Sequence, residues 1–226
     1  MTTGIWGLDT LTKGGFPRNS VNLVSGPAGS GKTLLATQFF HDGSGDDVGV
    51  YLVLEENREN VIRAMGNFNI GLEDKQRLFL IDMGEIRNEG SRGVVSFGEI
   101  KNFLQSFLAN TKPRRFVLDS LPVVGLYYHS AEEFREELFT FTRFLRQQDL
   151  TSLLISESLE NGGLTRYGVE QFVADSFIVL GLEDVRGELR RTITVRKMRF
   201  TKHDTAKHPF LITPRGIEVI SDEKVV

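Results

Sequence analysis

The stretch LVSGPAGSGKTLLA runs from Leu23 to Ala36, and the rest of the chain is organised around it. Within it Gly26, Pro27, Ala28, Gly29, Ser30, Gly31, Lys32 and Thr33 have the GxxxxGKT spacing, after the apolar-rich run Val21 to Val24 and before residues from Leu34 onward that continue a helix. This order is strand, loop, helix. Glycines let successive backbone N–H groups turn inward around phosphate oxygens, and the start of the helix adds partial positive charge. Lys32 has the reach to contact β and γ phosphates, and the Thr33 hydroxyl suits Mg²⁺. These eight residues and Leu34 therefore form a candidate nucleoside triphosphate site, in which Lys32 serves both binding and catalysis. The alternative is a glycine-rich turn from a strand into a purely structural helix.

Composition narrows what such a site can belong to. The 226 residues, 40% hydrophobic and 25% charged, suit one globular domain spanning 1–226. Lys and Arg total 27 against 30 Asp and Glu, and the formal charge of -3 gives no global attraction to nucleic acid or to an anionic membrane, although a local basic groove stays open. The absence of cysteine excludes disulfides, cysteine zinc sites and thiol nucleophiles, and agrees with a cytoplasmic setting. The N-terminus MTTGIWGLDT has no basic or long apolar region and no window approaches 18 apolar residues, so a soluble, untargeted chain without membrane insertion is expected. In the opening segment a short helix is expected around Gly7 to Thr12, followed by a turn at Gly14, Gly15 and Pro17, with Trp6 packed against the domain or a neighbour.

Beyond the loop, a helix from Thr33 to His41 leads through the polar run Asp42 to Asp47 to a buried strand, Val48 to Leu54, which ends in Glu55 and Glu56. Carboxylates at a strand end beside a phosphate loop are placed to activate water for attack on a γ-phosphate; otherwise they are the solvated start of the next helix, Asn57 to Phe68. Leu78 to Asp82 reads as a third strand, Met83 to Gly98 as a polar loop, and Phe97 to Ala109 as an amphipathic helix. Phe116 to Ser120 is a strand whose Asp119 can hold the Mg²⁺ that Thr33 approaches, the alternative being an ordinary acidic turn. Leu121 to Ser130 is expected as a loop and Ala131 to Gln148 as a long helix.

The strand Thr151 to Ser156 then ends near Glu157, with Ser156 either sensing the γ-phosphate or serving as a polar strand end. A loop from Gly162 to Gln171 precedes strands at Phe172 to Leu182 and Leu189 to Phe200, and a hairpin of Phe210 to Thr213 with Gly216 to Ile220 closes the pattern. Alternating strands and helices followed by strands alone indicate an α/β fold: a mostly parallel central sheet flanked by helices and extended by C-terminal antiparallel strands. The 17 phenylalanines are expected to fill the core and a subunit interface.

Taken together, the chain resembles single-domain members of the KaiC family within the RecA-like P-loop ATPases. The resemblance rests on Thr3-Gly4-Ile5, Gly7-Leu8-Asp9, Gly14-Gly15 and Pro17-Arg18, then GPAGSGKT, Glu55-Glu56, Asp119-Ser120 and Tyr167-Gly168-Val169-Glu170, and on Lys197-Met198-Arg199, Lys202-His203, Pro209-Phe210, Ile212-Thr213 and Gly216-Ile217. It implies a RecA-type fold, a homo-hexameric ring, and ATP with Mg²⁺ held between adjacent subunits. By the same resemblance Lys197 and Arg199 reach the γ-phosphate of the neighbour's nucleotide, with Met198, Thr201, Lys202 and His203 beside them, while Glu55 is the base that activates water and Glu56 supports or replaces it. From the residues alone, Lys197 to His203 is a basic edge strand and turn. Two departures stand out: Thr165-Arg166 does not reproduce the adjacent Ser-Thr phosphosite of the two-domain clock protein, and Phe200 replaces the family's glycine after Lys-x-Arg.

Three functions follow from these readings. The first is an ATPase whose hydrolysis drives a conformational or regulatory switch for a protein partner. A second is a recombinase-like accessory protein that binds single-stranded DNA through loops at Glu85 to Arg92 and Gly162 to Tyr167. The third is a nucleotide-dependent scaffold with little turnover.

Overall fold

The computed structural model describes residues 1–42, 47–70, 77–86, 95–159 and 162–225. In chain order the elements are α1 (Leu8–Leu11), β1 (Val21–Ser25), α2 (Lys32–His41), β2 (Val48–Val53), α3 (Arg58–Asn67), β3 (Leu78–Asp82), α4 (Met83–Ile86), α5 (Phe97–Leu108), β4 (Pro113–Asp119), α6 (Leu121–Gly125), α7 (Ala131–Gln147), β5 (Thr151–Ile155), α8 (Glu170–Val173), β6 (Ser176–Val185), β7 (Glu188–Met198), β8 (Lys207–Thr213) and β9 (Gly216–Val219).

One nine-stranded sheet has the order β3-β2-β4-β5-β1-β6-β7-β8-β9. The first six strands of that order run parallel and the last three pair antiparallel. Every residue of β1 is buried, as a strand covered on both faces by helices requires. Its neighbours show how a two-residue period sorts side chains between the faces. Tyr51, Val53, Val117 and Ile155 enter one core with Leu35, Phe39, Val61 and Met65 of α2 and α3. On the other face Val50, Leu52, Phe116 and Leu118 meet Phe97, Ile100, Phe134 and Phe141 of α5 and α7.

Helix starts follow local chemistry. Ser96 and Glu99 form a reciprocal capping box at α5, with Ser96 N–H donating to Glu99 Oε2 at 2.8 Å. Ser130 accepts from Glu133 N–H at α7, and Asn57 accepts from Asn60 N–H at α3.

Three expectations need correction. Leu121–Gly125, expected as loop, is a short helix with proline in its first turn, where a missing N–H costs nothing. Met83–Ile86 is a helical turn at the start of the expected polar loop, and residues 87–94 lie outside the described residues. The strand expected from Phe172 begins only at Ser176, because Glu170–Val173 is helical. Of the two placements expected for Trp6, its own domain does not enclose the ring: the backbone bridges β9, with Val219 N–H donating to the Trp6 carbonyl, while the indole is 77% exposed on the single chain. Phe139, Phe172 and Phe200 are likewise exposed, whereas Phe16, Phe39, Phe40, Phe97, Phe116, Phe134 and Phe141 are fully buried.

Arg115 is a charge in the interior, exposed by only 1%. It donates to the carbonyls of Thr2 and Phe39 at 2.9 Å and of Asp42 at 3.3 Å, and lies over the Phe39 ring. Burial lowers its pKa and the facing Asp42, Asp47 and Asp9 oppose that shift. Because these contacts join β4 to the N-terminal segment and the end of α2, they anchor the far end of the helix that leaves the phosphate loop.

Candidate functional site

In a parallel sheet, the loops that follow the strands gather at the carboxyl edge, where ligands bind. Here β1 delivers Gly26–Thr33, β2 delivers Glu55 and Glu56, β4 delivers Asp119 and β5 delivers Glu157. The register explains the convergence: Val53 pairs with Asp119, and Leu54 N–H donates to the Asp119 carbonyl at 2.7 Å. Between these ends lies a cavity of about 170 Å³ lined by Gly29, Lys32, Thr33, Glu55, Asp119 and Glu157, with Glu56 and Ser120 at its wall.

The loop backbone is built around glycine where a side chain would not fit. Gly29 and Gly31 adopt φ of 75° and 98°, in the left-handed region. A Cβ at Gly26 would approach the Leu180 carbonyl oxygen to 2.7 Å. With Gly31 as N-cap, no side chain caps α2, so its first-turn N–H groups remain directed toward the loop mouth. Ser30 Oγ braces the turn by donating to the Pro27 carbonyl at 2.8 Å.

Lys32 Nζ donates to the carbonyls of Gly26 and Pro27, both at 3.0 Å, so its ammonium is folded back over the loop. Burial lowers its pKa, opposed by the nearby Glu157, Asp119 and Glu55. Asp119 is 8% exposed, accepts the Tyr51 hydroxyl at 2.7 Å and lines the same cavity as Thr33. Burial raises the Asp119 pKa; the Tyr51 and Thr33 hydrogen bonds counter it, and Glu55 and Glu56 add to it. Glu55 is exposed toward the cavity, held through Oε2 by the Ser120 hydroxyl at 2.7 Å.

This donor set fits Mg²⁺. Thr33 and Asp119 offer hard oxygens side by side, and among the described residues no group of three or more His, Cys, Asp or Glu forms a metal cage of its own. One carboxylate and one hydroxyl, completed by phosphate oxygens and water, is how Mg²⁺ is commonly held at nucleotide sites.

The distal set lies elsewhere. Met198 pairs with Ser176, and Ser176 pairs with Asn22 near the start of β1, whereas the phosphate loop leaves the other end of β1 after Ser25. Lys197 and Arg199 are therefore at the opposite edge of their own sheet from their own loop. Lys197 Nζ donates to the carbonyls of Gln171 at 3.0 Å and Ala174 at 2.6 Å. Arg199 Nη1 lies 3.4 Å from Asp175 Oδ1, and its N–H donates to the Asp175 carbonyl. Met198 is buried in the core, Thr201 Oγ1 donates to the Lys202 carbonyl at 3.3 Å, and neither enclosed ring nitrogen of His203 has a hydrogen-bond partner among the described residues.

Ser156 is wholly buried, donates to Glu170 Oε1 of α8 at 3.0 Å and accepts Arg166 N–H at 3.5 Å, tying the end of β5 to α8 and to the 162–168 loop. Of the residues considered for single-stranded DNA, Arg166 is exposed and Arg92 lies outside the described residues. Two site contacts were not foreseen from the sequence. Glu157 lines the cavity, and the signal for it was the one that marked Glu55 and Asp119, an acid just past an apolar strand. Arg191 of β7 donates to the Gly29 carbonyl at 3.3 Å; only strand pairing brings it there, so it carries no local signal.

Comparison with known proteins agrees with this geometry. A model of the KaiC ATPase family matches residues 1–224. The circadian clock oscillator protein KaiC of Parathermosynechococcus lividus is 33% identical over 225 residues, covering 96% of this chain and 41% of that protein. Its counterpart in Synechococcus elongatus is 33% identical over 228 residues, covering 97% of this chain and 44% of that protein. The chain thus spans less than half the length of these relatives. The crystal structure of a KaiC-like protein from the hyperthermophilic archaeon Pyrococcus horikoshii superposes with a TM-score of 0.83 at 32% identity, covering 97% of both chains.

Proposed function

From the premise that this chain belongs to the KaiC family of RecA-like ATPases, we propose that it binds and hydrolyses Mg-ATP between adjacent copies of itself in a cytoplasmic homo-hexameric ring. The observation that carries this reading is the separation of the phosphate loop from Lys197 and Arg199, which sit at opposite edges of one sheet. A cation there serves a neighbour's phosphates more readily than its own.

In this scheme the N–H groups of Gly29–Thr33 surround the phosphate oxygens, and Lys32 leaves the Gly26 and Pro27 carbonyls for the β and γ phosphates. Thr33 and Asp119 hold Mg²⁺, which supplies charge neutralisation at the phosphates. Glu55, oriented by Ser120, aligns and activates water, and Glu56 is exposed beside it as support. Lys197 and Arg199 exchange their present carbonyl and carboxylate partners for the neighbour's γ-phosphate, where fixed cations stabilise developing charge. Hydrolysis then acts as a switch on the arrangement of subunits and on a bound protein.

The decisive experiment mixes Lys32→Ala and Arg199→Ala chains, each inactive alone, and measures phosphate release from assemblies whose mass is verified by native mass spectrometry. Recovered turnover is expected, because some interfaces combine an intact loop with an intact Arg199. Verified mixed assemblies without recovery would refute the shared site. Nucleotide-dependent assembly with no turnover in the unaltered chain would instead favour a scaffold.

A further inference from the structure

Tyr51 is buried in the sheet, exposed by 0%, with its ring edge-on to Phe40 at 5.5 Å. A phenylalanine would pack there equally well, so packing gives no reason for the hydroxyl. Its one hydrogen bond among the described residues is to Asp119 Oδ2 at 2.7 Å, across the β2–β4 pair. A buried hydroxyl costs stability unless it is paired, and here the partner is the carboxylate that faces Thr33 at the cavity.

We propose that Tyr51 is a positioning residue for the metal-holding carboxylate: its hydroxyl fixes the orientation of Asp119 through Oδ2 and leaves the remaining lone pairs to a divalent cation. The inference rests on the Mg-ATP reading above and extends it into the core beneath the site. Tyr51 suits the role because a phenol hydroxyl facing a carboxylate oxygen acts as the donor, and its ring is held edge-on to Phe40. Lys32 of α2 and Glu157 after β5 share the same cavity. Partners that orient a ligating side chain typically change metal affinity 10–100-fold when removed.

The test is Tyr51→Phe, with Mg²⁺ titrated calorimetrically into the chain saturated with ADP. The unaltered chain comes first: absence of Mg²⁺-dependent nucleotide binding there would overturn the Mg-ATP reading itself. Given that binding, Tyr51→Phe is expected to weaken Mg²⁺ about tenfold. ADP affinity without metal is expected to stay within about twofold, because the phosphate loop is untouched. A folded Tyr51→Phe with unchanged Mg²⁺ affinity would overturn the proposal. Should Tyr51→Phe fail to fold, adding Asp119→Asn is expected to restore folding by removing the buried charge, and failure to restore it would also overturn the proposal.

Discussion

Replacing Lys32 by alanine separates what the lysine does for the fold from what it does for the reaction. In the structure its ammonium makes two hydrogen bonds of 3.0 Å, to the Gly26 and Pro27 carbonyls, within one loop. Hydrogen bonds from a charged donor contribute about 1.5–3 kcal/mol each where they are fully effective. These are offset by burial, the largest cause of the lowered Lys32 pKa: a base whose folded pKa lies below its unfolded value costs stability at neutral pH. The two terms oppose one another, so Lys32→Ala should change nucleotide-free stability by no more than about 1 kcal/mol, or roughly 2–4 °C for a chain of this size. Turnover should fall far more, by roughly 10²–10³-fold, because a fixed donor is lost where charge develops on the phosphoryl oxygens. The assay pairs urea unfolding without nucleotide against phosphate release with saturating Mg-ATP. Turnover within about threefold of the unaltered chain would refute the assignment, since no other cation described on this chain lines that cavity. A loss of several kcal/mol in the unfolding assay would refute the stability argument separately.

Asp119→Asn should raise the nucleotide-free melting temperature at neutral pH while abolishing Mg-dependent hydrolysis. The folded pKa of Asp119 is raised, chiefly by burial, so its contribution to stability is complete below the ordinary carboxylate value and is lost as pH rises through the folded value. The advantage of the asparagine should therefore disappear in acid, which melting curves across pH would reveal. Gly125→Ala places a Cβ 2.2 Å from the Tyr167 ring, which is itself packed on Phe134 and donates to the Pro122 carbonyl. A destabilisation of about 1–3 kcal/mol in urea is expected from the forced repacking. Asp175→Ala removes the acceptor of Val21 N–H at the start of β1 and the partner of both Arg146 and Arg199. Val21 N–H loses its buried acceptor, whereas Arg146 and Arg199, 29% and 48% exposed, can turn to water, so chemical denaturation should register a loss of about 1–3 kcal/mol.

Much of the site was legible because its information is local. The GxxxxGKT spacing specifies a loop by the conformations glycine allows, and Glu55 and Asp119 announce themselves as acids ending apolar strands. The long helices were legible through apolar spacing and the caps at Ser96 and Ser130. Single helical turns were not, since Met83–Ile86, Leu121–Gly125 and Glu170–Val173 are too short to carry a period. Which of its two expected partners Trp6 would meet was not legible: a large apolar ring usually implies burial, and within this chain its backbone is tied to β9 while the ring is exposed.

By itself the sequence determined that a strand–loop–helix phosphate cradle heads an α/β chain, and which acids end the strands around it, because dihedral preference and periodicity act over a few residues. Only the tertiary structure decided that Tyr51 meets Asp119, that Arg191 reaches Gly29, that Arg115 is enclosed, and that Lys197 and Arg199 lie across the sheet from their own loop. Those facts depend on strand order and register. Both are set by how the whole set of apolar faces packs together, which no short window of residues contains.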